Sequence, residues 1–546
     1  MCANYQFWLI YVAMTKIAAA IMVSNLDQAL NLAAKAAELG ADLVEYRVDN
    51  LAELPGGDGA KLVNTLIEKS PLPCIITCRA AWEGGECDCD DQQRVSFLEN
   101  ACLNGETRPA YLDFELASHQ KSFNIRQKVE LMVDHPGQVR EVETGLILSS
   151  HDFDKRPVDL YQRVEAMAHA AACRVIKVAW HARSLRDNIE AFEVLESQYK
   201  PTIALCMGED GLPSRVLAKK FGALLTFAAI DGQQGTAPGQ PTISDLKKFY
   251  RWDKLNAQTK VYGVIGHPVG HSMSPAIFNA AFEAKDYDGV YLPMRIEPSY
   301  ESFKATVHSW LDLPSLHFKG ASVTIPHKEN LIRFVTEQGG EVEQLAQKIG
   351  AANTLTVRDD GSLYASNSDY AGALDAVVQN MGIPREEVKD LRVAVIGAGG
   401  AARAIVAGFS HYGATVVVYN RTLEKARKLA DEFTNPYGKV VAAPMDKLCD
   451  SCCQVFINCT PLGMHPNVES SPLPADFAGY GPGIVVFDTV YNPRNTLLLR
   501  QARAAGCLTI QGTEMFVRQA AAQYSLWTNQ EAPVDTFTKV LLDKLG

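Results

Sequence analysis

Between Ile17 and about Lys248 the chain repeats one pattern, a short apolar or β-branched run followed by a stretch of helical periodicity, at intervals of roughly 25 to 35 residues. The runs are KIAAAIMV, ADLVEYRV, LPCIITCR, PAYLDFEL, TGLILSSH, CRVIKVAW, PTIALCMG and GALLTFAA, and amphipathic segments such as Asp27 to Leu39 separate them. Eight alternating units of this size fit a (β/α)8 barrel better than an open sheet. In such a barrel, chemistry gathers at the carboxyl ends of the strands.

The ionisable residues fall at those ends. Glu45 and Arg47 share one face near the end of the second run, Arg79 ends the third, His151 follows the fifth, and Arg215 follows the seventh. Lys177 lies inside the sixth run, where Val-Ile-Lys-Val-Ala is otherwise apolar and a lysine without purpose would be costly. Desolvation favours a neutral amine able to condense with a ketone. A structural ion pair with Glu45 or Glu115 accounts for Lys177 equally well by itself. His151 at the neighbouring strand's mouth decides between them, because an imidazole can move the protons that Schiff-base chemistry requires.

With 546 residues the chain exceeds what one hydrophobic core organises, so a further domain is expected. A polar linker near Asp245 to Lys260 precedes a fresh strand at Val261-Tyr-Gly-Val-Ile. Farther on, Leu391-Arg-Val-Ala-Val-Ile runs into Gly397-Ala398-Gly399-Gly400-Ala401, a strand, a glycine turn and a helix start of the kind that cradles a pyrophosphate. The next strand ends in Asn420-Arg421-Thr422, without the acid that would hold a ribose 2′-hydroxyl. Arg421 suits a 2′-phosphate instead, with Thr422 able to donate another bond, and NADP is the expected cofactor.

Composition excludes several classes. A hydrophobic share of 47% and a charged share of 21% are those of a globular protein. A net charge of −11 without a basic run argues against nucleic acid as a partner. Thirteen cysteines scattered from Cys2 to Cys507 lack the spacing of a disulfide framework and imply a reducing, cytoplasmic setting. Cys87-Asp-Cys89 and Cys449 with Cys452-Cys453 have no second ligand pair at zinc-site spacing, so no metal is expected. The apolar segment Phe7 to Met14 is too short for a membrane span and lacks the charged start of a signal peptide, and Met14 could be the true start.

Read together, Glu45-Tyr-Arg47, Thr77-Cys-Arg79 with Glu83-Gly-Gly, Ser149-Ser-His151-Asp-Phe, Ile176-Lys177, Met207-Gly with Ser214-Arg215, and Thr236-Ala-Pro-Gly-Gln240 resemble type I 3-dehydroquinate dehydratase across residues 14–250. The resemblance implies that Lys177 forms an imine with the substrate ketone and that His151 moves the protons. Glu45, Arg47, Arg79, Arg215, Thr236 and Gln240 would hold the carboxylate and hydroxyls, with Thr236 standing where the family usually has Ser.

The second half resembles shikimate dehydrogenase. The motifs are Gly266-His-Pro with Ser272-Met-Ser274-Pro, Val323-Thr324-Ile-Pro-His-Lys328, Gly350-Ala-Ala-Asn353-Thr354, Asn367-Ser-Asp369, Asn420-Arg-Thr, Asn458-Cys-Thr460-Pro-Leu-Gly-Met464, Asp488-Thr-Val-Tyr491-Asn-Pro and Gly512-Thr-Glu-Met515 with Gln519. This resemblance implies a catalytic Lys328 and Asp369, a carboxylate held by Ser272 and Ser274, and ring hydroxyls met by Thr324, Asn353, Tyr491 and Gln519. The cofactor would lie against Gly397 to Ala401, Asn420 to Thr422, Thr460, Gly512 and Met515. Ser322, Phe278, Ser368 and Ala520 replace the usual Asn, His, Thr and Gly.

The expected architecture is therefore an α/β chain with a barrel at 14–250, a substrate-binding domain at 258–370, and a Rossmann domain at 371–546 whose last helices return to the substrate lobe. The expected function is dehydration of 3-dehydroquinate to 3-dehydroshikimate, followed by NADPH-dependent reduction to shikimate. A quinate-directed dehydrogenase with another cofactor preference, or a metabolite sensor on the same folds, are the alternatives; retention of Lys177, His151, Lys328 and Asp369 favours the enzyme. Small molecules are the expected partners, no membrane association is expected, and the sequence carries no signal for oligomeric state.

Overall fold

The computed structural model describes residues 14–54, 57–139, 142–197, 199–233 and 235–545. Cys2 and the apolar residues from Phe7 to Ala13 thus lie outside the described residues. The chain through Thr259 together with Thr306–His317 forms one compact unit, and Lys260–Ala305 with the chain from Phe318 onward forms another.

The first unit holds eight parallel strands, β1 (Lys16–Met22), β2 (Leu43–Arg47), β3 (Cys74–Thr77), β4 (Tyr111–Glu115), β5 (Gly145–Asp152), β6 (Cys173–His181), β7 (Thr202–Met207) and β8 (Leu225–Ala228). Each of the eight apolar runs coincides with one of them, β5 and β6 each extending one residue beyond its run. Successive strands are neighbours, and β1 pairs with β8 from Lys16↔Leu225 to Ala19↔Ala228, bending the sheet into a barrel. The seam between β7 and β8 is bridged where Leu224 N–H donates to Thr202 O at 2.9 Å.

Side chains on alternate strand positions share a face. Ala18, Leu43, Ile75, Ile147, Val175, Ala179, Ile203, Leu205, Leu225 and Phe227 form one apolar cluster, and Lys177 sits between Val175 and Ala179 in sequence and on the same face of β6. His151 belongs to β5 itself rather than following it, and Arg79 stands two residues beyond β3. The segment expected as a polar linker is packed: Leu246, Trp252 and Leu255 are buried, and Lys219 Nζ donates to the carbonyls of Trp252 and Asp253, both at 3.0 Å. Its apolar residues account for the difference, since they give the segment a face to bury.

The second unit contains two six-stranded sheets. In the first, β9 (Lys260–Gly266), β10 (Gly289–Arg295) and β11 (Phe318–Val323) are parallel, and β13 (Thr354–Val357) joins β11 antiparallel and forms a hairpin with β14 (Leu363–Ser366). The short β12 (Glu341–Val342) closes the far edge against β14. The second sheet is parallel throughout: β15 (Arg392–Ile396), β16 (Thr415–Tyr419), β17 (Val440–Ala443), β18 (Val455–Asn458), β19 (Val485–Asp488) and β20 (Leu508–Ile510), in the order β17-β16-β15-β18-β19-β20. This is the doubly wound order, with its switch point between β15 and β18.

The helix Ser368–Met381 packs against Gly512–Thr528 and Gly400–His411. Val534–Leu545 packs on the helix Ser274–Ala284 beside the first sheet, in a cluster built on Tyr262, Phe278, Phe282, Tyr291, Tyr524 and Phe537. Phe278 is fully buried and stacks on Tyr291 with ring centroids 4.5 Å apart, so the position where the family usually has His is a core position here. Ala520 is buried in the same cluster. No helix among the described residues is long and apolar enough to cross a membrane.

Phe278→Ala should destabilise this unit by about 3 to 5 kcal/mol, the usual cost of emptying a buried aromatic site. Calorimetry of the whole chain should show a lowered transition; a melting profile identical to wild type would contradict a core role for Phe278.

Two candidate active sites

At the carboxyl end of the barrel a single cavity is lined by Glu45, Arg47, Arg79, His151, Lys177, Arg215, Thr236 and Gln240, so the structure brings together every barrel residue singled out in the sequence. Lys177 is the centre of this arrangement. Its Nζ lies 2.7 Å from Asp113 Oδ2 and 3.2 Å from Glu45 Oε1, and 4.6 Å from the ring centroid of Phe227. The pairing with Glu45 was anticipated; the one with Glu115 is replaced by Asp113. Glu115 is engaged elsewhere, accepting from Arg79 Nη1 at 3.2 Å and from Arg94 Nη1 at 3.0 Å.

Arg79 ties the carboxylates into one network. Its Nη2 donates to Asp113 Oδ1 at 2.7 Å and its Nη1 to Ser149 Oγ at 2.7 Å. Burial opposes charge on all these groups. Asp113 and Glu115 nonetheless hold the Arg79 guanidinium above its ordinary value, and Arg79 and Lys177 hold the Asp113 carboxyl well below its own. Arg215 contrasts with Arg79: it is buried, its Nε and Nη2 find no acceptor among the described residues, and burial pulls it down to about 10. A buried guanidinium aimed into a cavity without a counter-charge is suited to receive a carboxylate from a ligand.

Glu83, placed in the sequence only as part of a motif, is the partner of His151. Its Oε1 accepts from the His151 backbone N–H at 2.9 Å and lies 2.9 Å from His151 Nδ1. In the tautomer that donates Nδ1–H to Glu83, Nε2 is left as the basic nitrogen. Burial, then the nearby charges of Arg79 and Lys177, keep the imidazole well below its usual value and hence neutral. Burial also pushes the Glu83 carboxyl up to about 8, only partly offset by Arg79. Thr236, the family's usual Ser, keeps its hydroxyl 3.5 Å from Gln240 Oε1, to which its backbone N–H donates at 3.1 Å.

In the second unit Lys328 opens the helix Lys328–Glu337 and Asp369 lies in the first turn of Ser368–Met381. Lys328 Nζ is 2.6 Å from Asp369 Oδ2, and Asn353 Nδ2 donates to Asp369 Oδ1 at 2.9 Å. Ser368 keeps the hydroxyl of the usual Thr and accepts from Asn353 Nδ2 at 3.1 Å. Tyr291 and Gln523, neither of which the sequence singled out, extend the network. Tyr291 neighbours Ser274 and donates to Ser322 Oγ at 2.6 Å; Ser322 donates to Gln523 Oε1 at 2.7 Å; Gln523 Nε2 donates to Asn353 O and Thr354 Oγ1. Ser322, the usual Asn, is thus a hydrogen-bonded relay between Tyr291 and the glutamine that reaches Asn353.

Ser274 N–H donates to Ser272 Oγ at 3.3 Å, and Thr324 follows β11 beside Gly266. Tyr491 meets Phe516 at 5.4 Å between ring centroids, one helical turn from Gln519. Gly372 lets that helix approach: a Cβ there would lie 3.1 Å from Gln519 N.

The glycine turn fits a dinucleotide. Gly397 has φ +113°, and a Cβ on Gly399 or Gly400 would meet nothing within 4 Å, leaving an open floor that includes Ala398 and Ala401. The helix Gly400–His411 begins there with no side-chain cap, so its first N–H groups are free to face a pyrophosphate. Thr460 closes one side, donating to Asn458 Oδ1 at 2.7 Å, and its Cγ2 would lie 3.3 Å from a Cβ on Gly397. Asn420 Nδ2 donates to Thr422 O at 2.8 Å, Arg421 and Thr422 are exposed, and Gly512 and Met515 start the buried helix opposite.

A barrel with a lysine held by carboxylates beside a histidine, continued by a dinucleotide-binding fold with a lysine–aspartate pair, defines the class: a carbon–oxygen lyase fused to a nicotinamide-dependent oxidoreductase. The comparisons agree. Type I 3-dehydroquinase matches residues 17–257, the shikimate dehydrogenase substrate binding domain 264–355, shikimate/quinate 5-dehydrogenase 381–460 and the shikimate 5′-dehydrogenase C-terminal domain 512–542. The bifunctional 3-dehydroquinate dehydratase/shikimate dehydrogenase, chloroplastic, of Arabidopsis thaliana is 36% identical over 540 residues, covering 96% of this chain and 84% of the relative. The shikimate dehydrogenase (NADP(+)) of Methanocella arvoryzae is 41% identical over 288 residues, 52% of this chain and 99% of the relative. A solved structure of dehydroquinate dehydratase and shikimate dehydrogenase from S. pombe is 25% identical, with a TM-score of 0.44, over 97% of this chain and 98% of its own. The chain belongs to the bifunctional 3-dehydroquinate dehydratase/shikimate dehydrogenase family.

The Glu83 carboxyl gives a pH signature. Its value in the fold, about 8, lies above the ordinary 4.5, so the folded state binds the proton more tightly. The stability it contributes is fully present below 4.5 and is lost as pH rises through about 8. The melting temperature of Glu83→Gln should therefore gain on wild type as pH rises and level off above that point; a gap independent of pH would mean that the Glu83 carboxyl is not raised.

Proposed function

We propose that the enzyme's two activities, dehydration of 3-dehydroquinate and NADPH-dependent reduction of 3-dehydroshikimate to shikimate, are carried by Lys177 with His151 and by Lys328 with Asp369. The observation that carries the reading is Lys177, an amine inside the barrel that shares one cavity with a neutral imidazole. In the first reaction the Lys177 amine adds to the substrate ketone and expels water as an iminium forms. His151 Nε2 removes the adjacent carbon-bound proton, the iminium takes up the electron pair, and His151 returns a proton to the departing hydroxyl. Hydrolysis of the imine then frees the enone and the amine. Glu83 orients the imidazole; Asp113 and Glu45 hold the ammonium until substrate arrives. Arg215 takes the substrate carboxylate, and Arg47, Arg79, Thr236 and Gln240 frame the hydroxyls.

In the second reaction NADPH, when bound, supplies the hydride. Gly397, Ala398, Gly399, Gly400, Ala401, Thr460, Gly512 and Met515 would hold it, with Asn420, Arg421 and Thr422 at the 2′-phosphate. Lys328 donates a proton to the substrate oxygen, and Asp369, braced by Asn353, keeps that ammonium aimed. Ser272 and Ser274 face the substrate carboxylate, and Thr324, Asn353, Tyr491 and Gln519 the ring hydroxyls. The domains divide as 14–250, 258–370 and 371–546, and the reduced thiols support a cytoplasmic setting.

Incubation of the chain with 3-dehydroquinate and NADPH tests the assignment. Lys177→Ala should abolish dehydration yet reduce added 3-dehydroshikimate normally, whereas Lys328→Ala should let 3-dehydroshikimate accumulate. His151→Ala should slow dehydration by about 10² to 10⁴. A Lys177→Ala variant that still dehydrates would exclude the imine.

Arg421→Ala should raise KM for NADPH about ten- to a hundredfold, the worth of a charged hydrogen bond, with KM for NADH unchanged. Equal loss with both cofactors would remove Arg421 from the 2′-phosphate.

A further inference from the structure

Beside the barrel cavity, but outside its lining, the loop after β3 gathers sulfur and one carboxylate. The ligand atoms of Glu53, Cys87 and Cys89 all lie within 4.8 Å of one another. Cys89 Sγ is 3.9 Å from Glu53 Oε1, and Cys78 neighbours Cys87 on its buried side. Backbone bonds fix these positions: Cys87 N–H donates to Arg79 O at 3.3 Å, Ala81 N–H to Cys87 O at 2.9 Å, and Asp88 N–H to Glu53 Oε1 at 3.2 Å. Cys78 and Cys87 are buried, Cys89 is half-buried and Glu53 is exposed, so the cluster opens to solvent from one side.

We propose that Cys87, Cys89 and Glu53 bind a thiophilic divalent cation of the zinc class, with the fourth coordination position left on the solvent side. Two thiolates and a carboxylate are ligands that zinc takes in tetrahedral sites, at about 2.3 Å to sulfur and 2.0 to 2.2 Å to oxygen. Those bond lengths put ligand atoms roughly 3.5 to 3.8 Å apart, so the groups must close by about 1 Å. The least buried members, Glu53 and Cys89, have room to make that movement. The Arg94 guanidinium faces Cys78 and Cys87 and offsets part of the thiolate charge. A disulfide would use two of the three groups and leave Glu53 without a part. The loop that carries Cys87 and Cys89 also carries Glu83, so a bound ion clamps the far end of the segment that holds His151. The site is independent of the roles given to the catalytic residues.

The test is titration of the reduced, chelator-treated full chain with Co²⁺, followed by thiolate-to-cobalt charge-transfer absorption. One Co²⁺ per chain should give that band, and Zn²⁺ should remove it. Cys87→Ser/Cys89→Ser should abolish it, and Cys449→Ser/Cys452→Ser, in the other cysteine cluster, should leave it. Glu53→Gln alters an exposed side chain and spares the thiols. It should weaken Co²⁺ binding at least as much as loss of an outer-sphere partner does, about 10- to 100-fold. No charge-transfer band in the reduced protein, or a band that survives Cys87→Ser/Cys89→Ser, overturns the proposal. So does loss of two thiols to a disulfide with no band after reduction.

Discussion

A lysine inside a barrel of apolar strands is tolerable only if carboxylates answer it, and that requirement organises the first unit. Asp113 and Glu45 face Lys177; Arg79 then neutralises Asp113 and Glu115, and Arg94 shares Glu115. Removing one member would strand a charge in a low-dielectric interior, a far larger cost than the interaction itself contributes. The network is therefore self-supporting, and Arg215, whose Nε and Nη2 find no acceptor among the described residues, stands outside it.

The second unit meets a different constraint with neutral groups. A partly exposed lysine–aspartate pair keeps its geometry only if the carboxylate's other oxygen is held. Asn353 does this, and Asn353 is itself fixed by Ser368, Thr354 and Gln523. The polar chain from Tyr291 through Ser322 and Gln523 reaches the same asparagine from the other side. Two residues that depart from the family's usual choices, Ser322 and Phe278, make sense as neighbours: one bonds the hydroxyl of Tyr291 and the other stacks on its ring.

Much of this was legible in the chain. Strands show as apolar runs because a parallel barrel buries both faces, and Lys177 is conspicuous because it interrupts one. Asp113 and Glu83 were missed for the converse reason. Asp113 sits in Tyr-Leu-Asp-Phe-Glu, where two acids at alternate positions give no sign of which meets the lysine. Glu83 lies on a loop, and only the fold brings it to His151. Gln523 escaped notice because its partners are some 170 residues away in sequence. Glu53 was likewise invisible as a companion of Cys87 and Cys89, since ligand spacing along a chain says nothing about side chains delivered by different loops. The packed linker was misjudged because its lysines and aspartates outnumber the buried apolar residues that anchor it, Leu246, Tyr250, Trp252 and Leu255.

The pairing of β1 with β8 has a consequence for synthesis. Lys16 finds its partner in Leu225, so the first strand to leave the ribosome must wait for roughly 200 further residues before the barrel can close. At about 5 to 20 residues per second, that is on the order of 10 to 40 seconds with a hydrogen-bonding edge unpaired. KIAAAIMV is apolar and flat enough to recruit a foreign strand in that interval. The nascent chain's vulnerability is thus greatest before any of its chemistry exists, and it ends when β8 is delivered.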